Sequence, residues 1–245
     1  MNTRRTSEDA VIVDEMTPWM HALAAATRAG LAGLTRVRVE GALDAIPQDG
    51  PVIVAANHAS NLDALVIASS LMPRLGRRLQ WLGKKELFAW PIFGWIAANG
   101  GVHPVDRSTA DVEAYRLAKR ILDEGHALFV FPEGTRSHDG GLGEARDGVA
   151  VLALRTGAPI VPVGIAGSYA VWPRGQRIPH PGGHVTVRVG SPFRLDHELP
   201  TGTDRKAAKS LATDLIMRRI AALLPSGQRG RYDDAAIRAA GAPEP

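Results

Sequence analysis

PVIVAANHASNLDA, Pro51 to Ala64, opens with an unbroken apolar run and ends on polar groups. A short Val/Ile/Ala run with no polar alternation reads as a strand buried on both faces. Such strands belong to parallel sheets covered by helices on both sides. Asn57 and His58 then mark the carboxyl end of that strand, where the ligand sites of open α/β sheets gather. Ser60 reads as a helix start, and Ser60 to Asp63 has the S-x-x-D form of a capping box. Two readings of His58 and Asp63 stand side by side. One is a turn histidine next to a helix cap. The other is a catalytic pair in the spacing H-x-x-x-x-D. Helical side chains lean toward the helix N-terminus, so Asp63 in a first turn reaches back to His58. A carboxylate on one imidazole nitrogen fixes the tautomer and leaves the other nitrogen as a base.

The flanking sequence repeats the strand–helix alternation. RVRVEG (36–41) precedes the quoted run, and LDALVIASSL (62–71) follows it as a helix. RLQWLGKKEL (78–87) reads as a strand passing into a turn. HALFVFPEG (126–134) and APIVPVGIAG (158–167) are further buried strands, and HVTVRVGSPF (184–193) is a half-buried one. Helices are expected at ADVEAYRLAKRILDEG (110–125), GVAVLALRTG (148–157) and 203–224. The expected fold is α/β, a largely parallel mixed sheet flanked by helices. An N-terminal amphipathic helix is expected at 17–35, with Thr17 as N-cap and Pro18 at the first helical position. Residues 1–16 read as a disordered leader, 36–224 as the domain with its motif core at 50–170, and 225–245 as a partly disordered tail.

Composition narrows the chemistry. The 245 residues suit one α/β domain. The absence of cysteine removes disulfides, thiolate metal sites and a cysteine nucleophile from consideration. A net charge of +4 suits anionic partners such as phosphates or acidic lipids. A nucleic-acid partner is not expected, because the aromatics sit in apolar company and not along a basic stripe. The histidines show no metal-ligand spacing with acidic partners, and no metal is expected. No stretch is long and apolar enough to span a bilayer; the best, Trp19 to Leu34, holds His21 and Arg28. The segment 81–101 gathers Trp81, Phe88, Trp90, Phe93 and Trp95 behind Lys84 and Lys85. Core packing and lipid contact both fit it.

Three more stretches carry chemistry. FVFPEGTRS (129–137) follows a buried strand with Glu133, Gly134, Thr135 and Arg136, where Gly134 permits a sharp turn and Arg136 offers a planar fork to a phosphate. GGVHPVDR (100–107) places paired glycines before Arg107. APIVPVGIAG carries Pro162. Together with NHASNLD, these resemble the four motifs of the phospholipid/glycerol acyltransferase family, in the family's order. FPEGTRS is similar to the form typical of 1-acylglycerol-3-phosphate acyltransferases. The chain departs from the family at Pro104 and Val105, where Phe and Ile are usual. It departs again at Ala145-Arg146-Asp147-Gly148, where F-K-x-G is usual.

The resemblance implies a glycerol-phosphate acyltransferase-like fold and acyl transfer from acyl-CoA or acyl-carrier protein to a lysophospholipid hydroxyl. Those donors are co-substrates, and no cofactor is implied. His58 would be the general base and Asp63 its orienter. Arg136 and Arg107 would grip the acceptor phosphate, with Thr135, Gly134 and Glu133 beside them. Asn57, Ser60, Lys84 and Arg146 are further candidates, and Lys85 a weaker one. Backbone N–H groups near Gly134 or Ser60 would hold the oxyanion. The implied location is cytoplasmic, peripheral on the inner face of the membrane. Competing readings are another acceptor (a different lysolipid, glycerol 3-phosphate or a glycolipid), a thioesterase, or a noncatalytic lipid-binding module.

Overall fold

The computed structural model describes residues 12–105, 110–200, 202 and 204–233, without the side chains of Phe93, Ala110 and Asp111. Helix α1 (Pro18–Ala32) leads into strand β1 (Arg36–Gly41) and then β2 (Val52–Ala56). Helices α2 (Asp63–Val66) and α3 (Met72–Leu75) follow, joined by a π-helical stretch at Ile67–Leu71. Next come β3 (Leu79–Lys84), α4 (Pro91–Asn99), β4 (Val102–Val105), α5 (Ala110–Asp123) and β5 (Ala127–Val130). The chain continues through α6 (Gly148–Thr156), β6 (Ile160–Ala166), α7 (Ser168–Val171), β7 (His184–Val189), α8 (Leu195–Glu198) and α9 (Arg205–Ala221).

The seven strands form one sheet in the order β1-β7-β6-β2-β5-β3-β4. All neighbouring pairs are parallel except β6 and β7, so β1 and β7 run against the other five. This is the mixed, largely parallel sheet that the buried apolar runs predict. Every residue of β2 and β6 is buried. Alternation along β2 sends Ile53 and Ala55 into a core shared with α5, α6 and α9, and Val52, Val54 and Ala56 into one shared with α1 and the 62–75 helices. Two apolar layers thus clamp the central strands.

Helix α1 packs on the second layer through Met20, Ala24 and Leu31 and leaves its other faces open. Thr17 stands at its N-cap position but makes no side-chain cap bond, so the proline at the first turn is its main start signal. Residues 12–16, read as leader, are fastened to the domain. Ile12 is buried, and Asp14 pairs with Arg77 (2.7 Å) and His126 (2.8 Å). Residues 226–232, read as tail, form two short turns, and Gln228 accepts a bond from the Leu142 N–H.

Candidate active site

Strand β2 lies directly beside β5, and Ala55 pairs with Val130. His58 and Glu133 each stand three residues beyond that pair, so parallel register brings the two loops together over the carboxyl edge of the sheet. His58 is clamped there from both sides. Its N–H donates to Glu133 Oε1 (2.7 Å), and its carbonyl accepts from the Ser137 N–H (2.7 Å). Asn57, just before it, is buried and pairs with both backbone groups of Ile165, extending the β2–β6 ladder by one side chain. Asn57 therefore has a structural role, with both ends of its amide engaged by Ile165.

Asp63 is fully buried. Its Oδ2 accepts from His58 Nδ1 (2.9 Å) and from the N–H groups of Ala59 (2.7 Å) and Ser60 (2.7 Å). The two readings of this residue thus merge, because one oxygen both organises the turn and orients the imidazole. With Nδ1–H given to a carboxylate, Nε2 is the basic nitrogen. The His58 side chain is 20% exposed, enough to meet a ligand. Its ring lies flat on Phe131, with centroids 3.8 Å apart and planes 9° apart, and Phe131 in turn meets Phe129 edge-on. Sequence reading missed this stack. A phenylalanine at a strand end gives no signal beyond core packing.

Several expectations are corrected. The helix starts at Asp63, not Ser60, and Leu62 occupies its N-cap position. The Ser60 hydroxyl instead donates to the Trp172 carbonyl (2.7 Å) and accepts from the Leu62 N–H. The N–H groups expected for an oxyanion are occupied: Ala59 and Ser60 serve Asp63, and Gly134 donates to the Phe131 carbonyl (3.0 Å). Glu133, expected beside the acceptor phosphate, has both carboxylate oxygens engaged by the protein. It is 5% exposed, and its second oxygen accepts from the Gly143 N–H (2.8 Å), so it ties two loops together. Burial pushes its carboxyl up to about 7, against the lowering effect of those backbone bonds and with help from nearby Asp63 and Asp139.

The loop from Glu133 to Arg136 separates two hollows. One, of about 240 Å³, is mainly apolar, with Leu82, Tyr115, Phe131 and Leu152 among its lining and Gly134 and Arg146 also bordering it. Gly134 has φ +66°, and an added Cβ would meet Arg146 Nε at 3.1 Å, so glycine serves both the turn and the close packing of that arginine. The other hollow, of about 460 Å³, is lined by Thr135, Arg136, Ser137, His138 and Arg231 among others. Arg136 is half-buried, and its side chain does not pair with Glu133 or any other carboxylate among the described residues. Lys84 is exposed at the end of β3 and touches neither loop among the described contacts. Arg107 lies outside the described residues.

A family model described as Acyltransferase matches residues 36–166, more than half the chain, and takes in His58, Asp63, Phe131, Glu133 and Arg136. The chain belongs to the acyltransferase family. Among its relatives is the chloroplastic 1-acyl-sn-glycerol-3-phosphate acyltransferase LPAT1 of Arabidopsis thaliana, 31% identical over 160 residues. That match covers 64% of this chain and 44% of the plant protein. The 1-acyl-sn-glycerol-3-phosphate acyltransferase of Pseudomonas aeruginosa is 31% identical over 169 residues, covering 67% and 62%. The match thus takes in less than two thirds of either relative's length. Among solved structures, the 1-acyl-sn-glycerophosphate acyltransferase PlsC of Thermotoga maritima superposes with a TM-score of 0.66 at 26% identity, covering 84% of this chain and 78% of that one. The acyltransferase fold is therefore shown by family and by structure alike.

Proposed function

We propose that this acyltransferase moves an acyl chain from a thioester donor, acyl-CoA or acyl-carrier protein, to the free hydroxyl of 1-acylglycerol 3-phosphate, giving phosphatidic acid. The observation that carries the reading is the His58–Asp63 pair, held at 2.9 Å by a carboxylate that is itself fixed by two backbone donors. His58 Nε2 takes the hydroxyl proton as the oxygen attacks the thioester carbonyl. Asp63 stabilises the imidazolium so formed. When the carbon–sulfur bond breaks, Nε2 returns the proton to the departing thiolate. Hydroxyl, thioester and imidazole account for every bond made and broken, and no cofactor enters. The smaller hollow beside Phe131 suits an acyl chain, and the larger one, bordered by Thr135, Arg136 and His138, suits the phosphate, with Arg136 as its ligand.

The lipid acceptor also calls for a membrane surface. Among the described residues, no helix is long and apolar enough to cross a membrane. Around α4, however, Trp90, Ile92 and Trp95 are 66%, 73% and 58% exposed, and Trp95 meets Trp19 of α1 at 5.2 Å. That apolar edge beside Lys84 and Lys85 suits peripheral seating on an anionic leaflet, the inner face of the cytoplasmic membrane.

The test is to incubate the protein with labelled acyl-CoA and a panel of lysolipids, glycerol 3-phosphate and monoacylglycerol, and to identify products by mass. Phosphatidic acid from 1-acylglycerol 3-phosphate is expected, with no product from a His58→Ala protein of unchanged melting temperature. Normal turnover by that folded variant overturns the mechanism. Release of free fatty acid alone replaces it with a thioesterase.

A further inference from the structure

Between β6 and β7 the chain passes through α7 and WPRGQ (Trp172–Gln176), beyond residue 166 where the family match ends. No motif singles this segment out, yet it is fastened to both halves of the site. Toward the His58 loop, the Trp172 carbonyl accepts from the Ser60 hydroxyl and the Asn61 N–H, and the Pro173 carbonyl accepts from Asn61 Nδ2 (3.2 Å). Toward the Glu133–Ser137 loop, Arg174 Nη1 donates to the Arg136 carbonyl (3.2 Å), to His138 Nε2 (2.9 Å) and, at longer range, to Thr135 Oγ1 (3.4 Å). All three residues it touches line the larger hollow.

Arginines in this chain meet two kinds of partner. Several meet carboxylates, as Arg77 does Asp14, Arg188 Glu40, Arg194 Asp196 and Arg219 Glu198, whereas Arg28, Arg74 and Arg229 donate to backbone carbonyls away from any hollow described above. Arg231, in the same hollow, meets Glu144. Arg174 and Arg136 do not: among the described residues neither pairs with a carboxylate. The other acids of the hollow are occupied. Glu133 accepts from two backbone donors, and Asp139 accepts from the Ser137 hydroxyl and the Gly141 N–H. Arg174 therefore holds its cation against neutral acceptors, using one nitrogen of a guanidinium that offers five N–H donors. Its remaining edge is left as a fork for an anion.

We infer that Arg174 is a second phosphate-binding residue, which with Arg136 makes a two-arginine site for a phosphomonoester. A monoester carries close to two negative charges at neutral pH, because its second pKa is about 6. A phosphodiester headgroup carries one. A second cation therefore favours a monoester over a diester. Because the same segment rests on Ser60 and Asn61, it also fixes the phosphate's position relative to His58. The identity of the ligand's lipid part rests on the proposed acyl transfer; the anion site does not.

The test uses the full chain carrying Arg174→Ala, Arg174→Lys or Arg136→Ala. Titration with glycerol 3-phosphate reads the site without turnover. Arg174→Ala should weaken binding by about ten- to a hundredfold, the range for losing a charge-assisted bond, and Arg174→Lys should recover part of it. In turnover, the KM for 1-acylglycerol 3-phosphate should rise by a similar factor, while the KM for monoacylglycerol and the melting temperature stay unchanged. Donor arms separate the phosphate's source. A KM rise for acyl-CoA that vanishes with acyl-pantetheine, with the acceptor untouched, would overturn the acceptor assignment. Equal losses for monoacylglycerol would make Arg174 a loop brace and overturn the proposal, as would unchanged glycerol 3-phosphate binding. Lost glycerol 3-phosphate binding in a protein that transfers no acyl group would keep the anion site and sink the acyl-transfer reading alone.

Discussion

Two aromatic-rich stretches leave neighbouring strands of the sheet and meet opposite fates. Phe129 to Ser137, leaving β5, turns inward: Phe129 is 2% exposed, Phe131 is stacked under His58, and Glu133 and Ser137 bond the His58 backbone. Leu87 to Trp95, after β3, holds Trp90, Ile92 and Trp95 out toward solvent. Position in the sheet explains the contrast. Strand β5 has β2 on one side and β3 on the other, so its loop finds polar and apolar partners in both directions. The segment after β3 leads to the edge strand β4, and α4 packs mainly on that strand and the turn before it. Centre-strand loops can be locked, and an edge helix keeps a face for something else.

The sharpest break of that contrast is at the locked end. Asp63→Asn keeps an amide of the same shape but puts a donor where a shared acceptor stood. Transfer should fall on the order of a thousandfold or more, as when a triad tautomer is lost, and the check is kcat in a variant verified as folded. Near-normal kcat would mean that the pair only shapes the turn.

Glu133→Gln should cost less. One of the two N–H groups it now accepts, from His58 or Gly143, would face an amide donor. The unmet buried bond costs about 1–3 kcal/mol, and kcat should fall by roughly tenfold as His58 loosens. The pH dependence has a definite sign. The folded-state pKa is raised, from 4.5 to about 7, so the stability it contributes is present below about 4.5 and is lost as pH rises through 7. The wild type's melting advantage over Glu133→Gln should therefore shrink between pH 5 and pH 8. A difference that is flat with pH would show that Glu133 does not titrate there.

At the open end, Trp90→Ser with Ile92→Ser should leave turnover of a soluble short-chain acceptor and the melting temperature within error. Binding to anionic vesicles should drop by tenfold or more, because each buried apolar side chain is worth about 1.5–3 kcal/mol. Undiminished sedimentation with vesicles would move the membrane contact elsewhere on the surface.

Much of this molecule is legible in its residues because the relevant physics is local. Unbroken Val/Ile runs require cover on both faces, which makes PVIVAAN and APIVPVGIAG central strands. A histidine five positions before an aspartate at a strand end is brought to bonding distance by chain geometry alone. Distant contacts leave no such trace. That Glu133 braces His58, that Phe131 lies beneath its ring, and that Arg174 arrives beside Arg136 all depend on register and on the path of the chain between β6 and β7. The exposure of Trp90, Ile92 and Trp95 depends on which strand lies at the edge. Period and spacing describe one segment at a time, whereas a carboxylate's partners, an arginine's missing counter-ion and the bare face of a helix are properties of what packs next to it.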